Sequence, residues 1–127
     1  MANPAAITIN DCKANSAINQ PTAQAIDTDG VVPIAAGGNM YLLILEVINA
    51  AAAVLTVTLK AGDNPPALAS ADLAISLAAT GNAAAKQIIG PFESSKFMQD
   101  DGSVNIDFKA ASSTPNATIR AYRLPKI

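Results

Sequence analysis

The sequence has 127 residues, a formal net charge of −2 and no histidine, and a chain of this length fits one domain with one hydrophobic core. The absence of histidine excludes Ser-His-Asp and Cys-His nucleophiles, imidazole zinc sites and the usual near-neutral general base. The negative net charge and the 14% of charged residues exclude a phosphate-neutralising basic face. Because a free monomer normally carries more surface charge, we expect part of the surface to be covered in the working state.

Short β-branched runs separated by Gly, Pro, Asn, Asp and Ser predict strands along the first half of the chain. Pro33 lies in the third run and has no N–H for a ladder, so that strand should lie at a sheet edge. The apolar stretch 40–59 has the length of a membrane span, but Glu46 and Asn49 in its middle favour two strands joined by an alanine-rich turn. The predicted strands are 5–10, 22–27, 31–35, 40–48 and 54–60.

The last two of these strands differ in their patterns. Residues 40–48 are almost continuously apolar, which predicts a central strand buried on both faces, or nearly so. Residues 54–60 alternate between apolar and polar side chains, so Leu55, Val57 and Leu59 should share one buried face.

The second half of the chain begins with a predicted loop, 61–67, in which Pro65 and Pro66 remove two N–H donors. Residues 78–85 fit a helical turn by alanine propensity, or a loop because of Gly81 and Asn82. Residues 100–102 (Asp-Asp-Gly) are a hairpin signal. The predicted strands are 73–77, 86–90, 96–99, 104–108 and 117–124.

This pattern predicts an all-β fold of eight to ten short strands. No helix alternates with the strands, which excludes a parallel α/β sheet. An antiparallel β-sandwich of the jelly-roll kind, or a closed β-barrel, would pair so many short strands. We expect a single β-sandwich domain, 1–127, whose polar segment 1–21 forms an extended N-terminal arm that reaches over a neighbour. The N-terminus has neither a basic region nor a long apolar region, so we expect no signal peptide.

Two pairs of carboxylates are candidates for acid–base chemistry or calcium binding: Asp27 with Asp29, and Asp100 with Asp101. Both pairs precede a glycine, where Asp is favoured because its side chain caps the turn. A glycosidase needs facing carboxylates about 5–9 Å apart, and neither segment has the spacing of a twelve-residue calcium loop. We therefore expect turn residues, with no catalytic, cofactor-binding or metal-ligating residue and no enzymatic activity.

Several other polar residues have ordinary interpretations. The lone Cys12 excludes an intrachain disulfide and is expected to be a packing residue. Asn116 and Thr118 match the glycosylation acceptor pattern, which often arises by chance. The C-terminal positive charges either protect an edge strand against aggregation or form a weak interaction patch; they are Arg120, Arg123 and Lys126.

Three segments of the second half share a pattern: KAGDNPPA at 60–67, IGPFESSKFMQDDGSVNIDF at 89–108 and AYRLPK at 121–126. Together they resemble small structural proteins of tailed bacteriophages, which are encoded near the major capsid protein and are usually taken to be head decoration (cement) or related virion proteins. The resemblance covers residues 54–127. In this pattern Phe92 would anchor a strand corner in the core, and Phe97 and Phe108 would lie on partner strands of a hairpin.

The resemblance implies a virion protein on the capsid exterior, made in the host bacterial cytoplasm. Its partners would be the major capsid protein, bound across neighbouring subunits, and further copies of itself, with a trimer favoured. We expect no cofactor and neither nucleic acid nor membrane as a partner. The alternative is a non-catalytic binding module of a phage tail or fibre that recognises carbohydrate or protein.

Overall fold

The computed structural model describes residues 7–34, 40–62, 72–92, 97–99, 102–111 and 114–125. These residues form nine strands and two short 3-10 turns, Met40–Leu42 and Ala83–Ala85. The strands are β1 (Ile9–Asp11), β2 (Gln24–Ile26), β3 (Gly30–Ile34), β4 (Leu43–Asn49), β5 (Leu55–Leu59), β6 (Leu73–Leu77), β7 (Lys86–Ile89), β8 (Val104–Ala110) and β9 (Ala117–Arg123). The all-β prediction is confirmed. No helix within the described ranges is long and apolar enough to cross a membrane.

The strands form two sheets. In sheet I, β7, β4 and β9 follow one another, and both β1 and β2 pair with the other side of β9. Sheet II has the order β3-β8-β5-β6. The described pairs are antiparallel, except that β1 runs parallel to β9. Because the two sheets are separate, the closed-barrel alternative is wrong. Their buried faces share one hydrophobic core in a sandwich-like arrangement.

The core follows from the alternation of side chains along the strands. In β5, Leu55, Val57 and Leu59 are buried while the two threonines between them are half-exposed, as the sequence predicts. Full burial of each such side chain stabilises the fold by about 1.5–3 kcal/mol. The prediction that Pro33 lies at a sheet edge is also confirmed, because β3 is the outermost strand of sheet II.

Strand β4 differs from its prediction. It is central in sheet I, between β9 and β7, but only Leu43, Leu45, Val47 and Asn49 are buried. The alternate residues are half-exposed on the outer face. The exposure of this outer face could not be predicted from the apolar run. An antiparallel sheet can leave one face to solvent even where the side chains on that face are apolar.

The turn between β4 and β5 is organised by the buried side chain of Asn49. Its amide nitrogen donates to the carbonyls of Ala53, at 2.8 Å, and Ala78, at 2.9 Å, and its oxygen accepts from the Ala51 N–H at 3.1 Å. An amide that binds three backbone groups can be buried at little cost, because its polar atoms are satisfied. The sequence indicated only that Asn49 interrupts an apolar run.

The segment before β8 also differs from its prediction. The Gln99 N–H donates to the Ser103 carbonyl at 2.8 Å and the Gly102 N–H donates to the Gln99 carbonyl at 3.0 Å, so a turn is present. Residues 97–99, however, form no strand, and β8 pairs with β3 and β5. Phe97 and Phe108 are therefore not on partner strands, although both are buried in the core.

Candidate docking surface

Of the predicted carboxylate pairs, Asp27 and Asp29 are described, and each accepts a hydrogen bond within the chain. Asp29 Oδ1 accepts the Ala110 N–H at 3.0 Å, next to the end of β8. Asp27 Oδ1 accepts from the Thr28 hydroxyl at 3.2 Å. Asp100 and Asp101 lie outside the described residues. Within the described ranges, no three His, Cys, Asp or Glu side chains are grouped as metal ligands.

The C-terminal positive charges are not on an edge strand, so that interpretation is wrong. β9 pairs with β4 on one side and with β1 and β2 on the other. Arg120 donates to Glu46 Oε1 and to the Pro21 carbonyl, both at 2.9 Å, and Arg123 Nε donates to Asp11 Oδ1 at 2.7 Å. These two arginines therefore join parts of the same chain, and Lys126 lies outside the described residues.

These ion pairs perturb the groups that form them. The Arg123 hydrogen bond holds the pKa of Asp11 below its usual value, and the same bond raises the pKa of Arg123. On the outer face of sheet I, burial raises the pKa of Tyr122, and the nearby Glu46 carboxylate adds to this effect. In sheet II, the Ala61 N–H and then the Lys60 ammonium lower the pKa of Asp72.

An apolar cleft opens where the two sheets end side by side. β7 is the last strand of sheet I and β6 is the last strand of sheet II. The Gln87 amide donates to the Ser76 carbonyl at 2.9 Å, which bridges the two strands. The cleft has a volume of about 480 Å³, and its apolar lining comes from Leu73, Ile75, Ile88, Ile89, Pro91, Phe92 and Phe97.

The cleft has two buried aromatic side chains and an exposed apolar rim. Phe92 and Phe97 are buried and pack edge to face, with ring centroids 6.1 Å apart. At the rim, Ile88 is 73% exposed and Leu73 is 40% exposed. Ile88 and Leu73 adjoin the apolar cleft, and a contiguous exposed apolar patch is a candidate for contact with a partner. We call the cleft and its rim the β6–β7 surface.

Sequence reasoning did not single out Ile88, although it placed residues 86–90 on a strand. Side chains alternate along that strand, so Ile88 lies on the same face as the charged Lys86. This charged neighbour was the sequence signal that Ile88 lies on an exposed face. The register of Ile88 opposite Glu46 confirms that it lies on the outer face of sheet I. Its exposure depends on β7 being the last strand, which the local pattern did not reveal.

A second cleft, of about 460 Å³, lies near the β4–β5 turn and is lined mainly by small and polar residues that include Asn49, Thr80, Asn82 and Lys86. The Asn49 amide already binds three backbone groups, and Asn82 donates to the Ala79 carbonyl at 2.9 Å. The asparagines in this cleft therefore stabilise loops.

The N-terminal segment is partly built into sheet I. Residues 9–11 of the predicted arm form β1, whereas residues 13–20 are exposed and have no regular secondary structure. Comparison of the chain with protein-family models, with curated proteins and with solved structures finds no match. Function is therefore inferred from the sequence and from the geometry of this surface.

Proposed function

We propose that the protein is a structural virion protein that decorates and stabilises a phage capsid by binding across neighbouring capsid subunits. The observation that carries this proposal is the β6–β7 surface, where Ile88 is 73% exposed beside an apolar cleft. The low content of charged residues and the phage-protein resemblance of residues 54–127 also support it. No catalytic role is proposed, because the chain has no histidine.

We also propose a jelly-roll topology. The antiparallel pairs β2–β9, β3–β8, β4–β7 and β5–β6 are nested, as expected when a long two-stranded ribbon is wrapped into two sheets. Jelly rolls occur in viral capsid domains and in lectins, so this topology is compatible with a capsid protein and with a carbohydrate-binding module. Fold alone does not choose between them.

In the proposed setting, the partner is the major capsid protein on the capsid exterior, and the chain is a homo-oligomer, with a trimer favoured. Covering Ile88 would contribute roughly 1–2 kcal/mol per copy, because most of this side chain is exposed in the free protein. Many copies bound side by side would turn this modest contact into a stable shell. Neither nucleic acid nor membrane is proposed as a partner.

The alternative proposal is a binding module of a phage tail or fibre. It is favoured by the proposed jelly-roll topology, which lectins also use, together with Tyr41, an aromatic side chain that is 48% exposed. No other aromatic side chain within the described ranges is as exposed, which makes this the weaker candidate.

Virions carrying the protein provide the test. Mass spectrometry and cryo-EM should find the protein at many equivalent positions on the head. The Ile88→Lys variant should show about tenfold weaker binding to heads that lack the protein, corresponding to roughly 1.4 kcal/mol. The control is Val31→Lys, because Val31 is 38% exposed on an edge strand of the other sheet.

Density on the tail tip alone would contradict decoration and favour the binding module, as would defined specificity on a glycan array. Equal loss of binding in the Ile88 and Val31 variants would contradict the β6–β7 surface as the docking site.

A further inference from the structure

Two separate strands of the N-terminal segment occupy one side of β9. β2 pairs with residues 117–119 and β1 pairs with residues 121–123 in the opposite direction. Without β1, the second half of β9 would be an open strand edge. An open edge offers unpaired N–H and C=O groups to any strand of suitable sequence.

The contacts that hold β1 are specific, and any copy of the chain would supply them. Ile7 is buried in the core and Ile9 packs against it, while the Thr8 N–H donates to Gln24 Oε1 at 2.8 Å. The polar contacts to β9 are Arg123 Nε to Asp11 Oδ1 at 2.7 Å, Cys12 N–H to the Arg123 carbonyl at 2.8 Å, and Asn10 Nδ2 to the Ala121 carbonyl at 3.0 Å.

The connection between β1 and β2 is longer than their positions require. Asp11 pairs with Arg123 and Gln24 pairs with Ile119, so the ends of the connection are about 13 Å apart at 3.3 Å per residue along β9. The connection, residues 12–23, can span roughly 40 Å when extended. Residues 13–20 are exposed, and no hydrogen bond joins them to the described part of either sheet.

We infer that β1 is exchanged between copies of the chain when they assemble, so that β1 of one copy pairs with β9 of its neighbour. Exchange keeps every contact of β1 and needs only the reach that the connection provides. Swapping an identical element in this way is a low-cost route to an oligomer. The inference rests on the homo-oligomer of the proposed function and names the strand that joins its members.

Concentration decides which copy supplies β1. A short flexible connection holds a strand at an effective concentration in the millimolar range. In dilute solution the chain's own β1 therefore occupies β9, whereas neighbours crowded on a capsid compete for the same edge. The contacts are the same in both cases, so the equilibrium changes with packing density.

A disulfide placed across the β1–β9 pair reads out the exchange. Asp11→Cys and Arg123→Cys are combined in a Cys12→Ser chain, because the side chains of Asp11 and Arg123 already meet. The purified protein is oxidised in dilute solution and at ~5 mM, above the effective concentration of the connection. Non-reducing denaturing electrophoresis should show monomers in the dilute sample and covalent dimers and larger species in the concentrated one.

The Asp11→Cys and Arg123→Cys variants, each with Cys12→Ser, are also mixed. This mixture tests the inference even if the double variant does not fold. Each keeps one native partner residue, and a covalent heterodimer linked from residue 11 to residue 123, identified by peptide mass spectrometry, can form only between copies. Intrachain disulfides alone at ~5 mM, together with no linked heterodimer, would overturn the inference.

A shorter connection provides an independent test. Deletion of residues 13–18 leaves six connecting residues that reach roughly 20 Å, enough for pairing within one chain but half the native reach. We expect the native chain to elute as an oligomer from size-exclusion chromatography at high concentration, and this variant to fold and elute as a monomer. An unchanged oligomer would contradict strand exchange. Capsid occupancy of the native chain is measured separately, so failure of the decoration proposal can be distinguished from failure of the strand-exchange inference.

Discussion

Replacing Asn49 by alanine should destabilise the fold strongly, although the residue is polar and lies at the end of β4. The side chain is 2% exposed and makes three hydrogen bonds, to Ala53, Ala78 and Ala51. Each bond contributes about 1 kcal/mol net, and groups left unsatisfied add to the loss. We therefore expect the free energy of unfolding to fall by about 3 kcal/mol, a large share of the 5–15 kcal/mol typical of a domain.

The loss is measured by urea unfolding followed by far-ultraviolet circular dichroism. With a urea dependence of about 2 kcal/mol per M, the midpoint should fall by about 1.5 M. Asn82→Ala is the matched control, because Asn82 is exposed and makes one local bond, to the Ala79 carbonyl. Its effect should stay within about 0.5 kcal/mol.

A second variant separates hydrogen bonding from volume. Asn49→Asp keeps the shape and the acceptor for the Ala51 N–H but loses both donated bonds and points carboxylate oxygens at two carbonyls. It should be at least as unstable as the alanine variant. A loss for Asn49→Ala no larger than that for Asn82→Ala, or native stability of Asn49→Asp, would refute the reasoning.

Two further predictions concern backbone and charge. Gly81→Ala should cost about 1–2 kcal/mol, because φ is +90° but nothing lies near the new methyl group. Gly90→Ala should cost a further ~1–3 kcal/mol, because φ is +116° and a Cβ would lie 2.7 Å from the Leu43 carbonyl oxygen. Equal losses in urea unfolding would contradict the clash. The Arg123 hydrogen bond lowers the pKa of Asp11 in the folded state from 3.8. The ion pair therefore stabilises the fold fully above pH 3.8, and this stabilisation is lost as the pH falls through the lower pKa of the folded state. Asp11→Asn should therefore show a smaller fall of the urea midpoint below about pH 4 than the native chain does, and identical falls would exclude a contribution from this pair.

The sequence predicted the elements that depend on local alternation. The buried face of β5 and the position of β6 could be predicted because period-two patterns specify which side chains share a face. The strand ends agree to within a few residues because glycine, proline and aspartate mark turns through their own backbone preferences. Asp29 was predicted to cap its own turn, but its carboxylate accepts the Ala110 N–H, 81 positions away, and local pattern could not indicate this partner.

Pairing between distant segments could not be predicted from local pattern. Arg120 and Arg123 looked like the charges of an edge strand, but β9 is covered on both sides by strands that come from distant parts of the sequence; Arg123 and Asp11 are 112 positions apart. The outer face of β4 is half-exposed because it points away from the shared core, and an apolar run does not show this. Local alternation has the same appearance in an inner strand and in an outer strand.

The sequence by itself determined that this is an all-β chain without histidine chemistry, because side-chain periodicity and residue inventory need no tertiary information. Only the tertiary structure decided which strands end each sheet, and hence that Ile88 is exposed beside a cleft and that β1 occupies half of one edge of β9. These features arise from contacts between residues far apart in sequence, and such contacts form only when the whole sandwich closes.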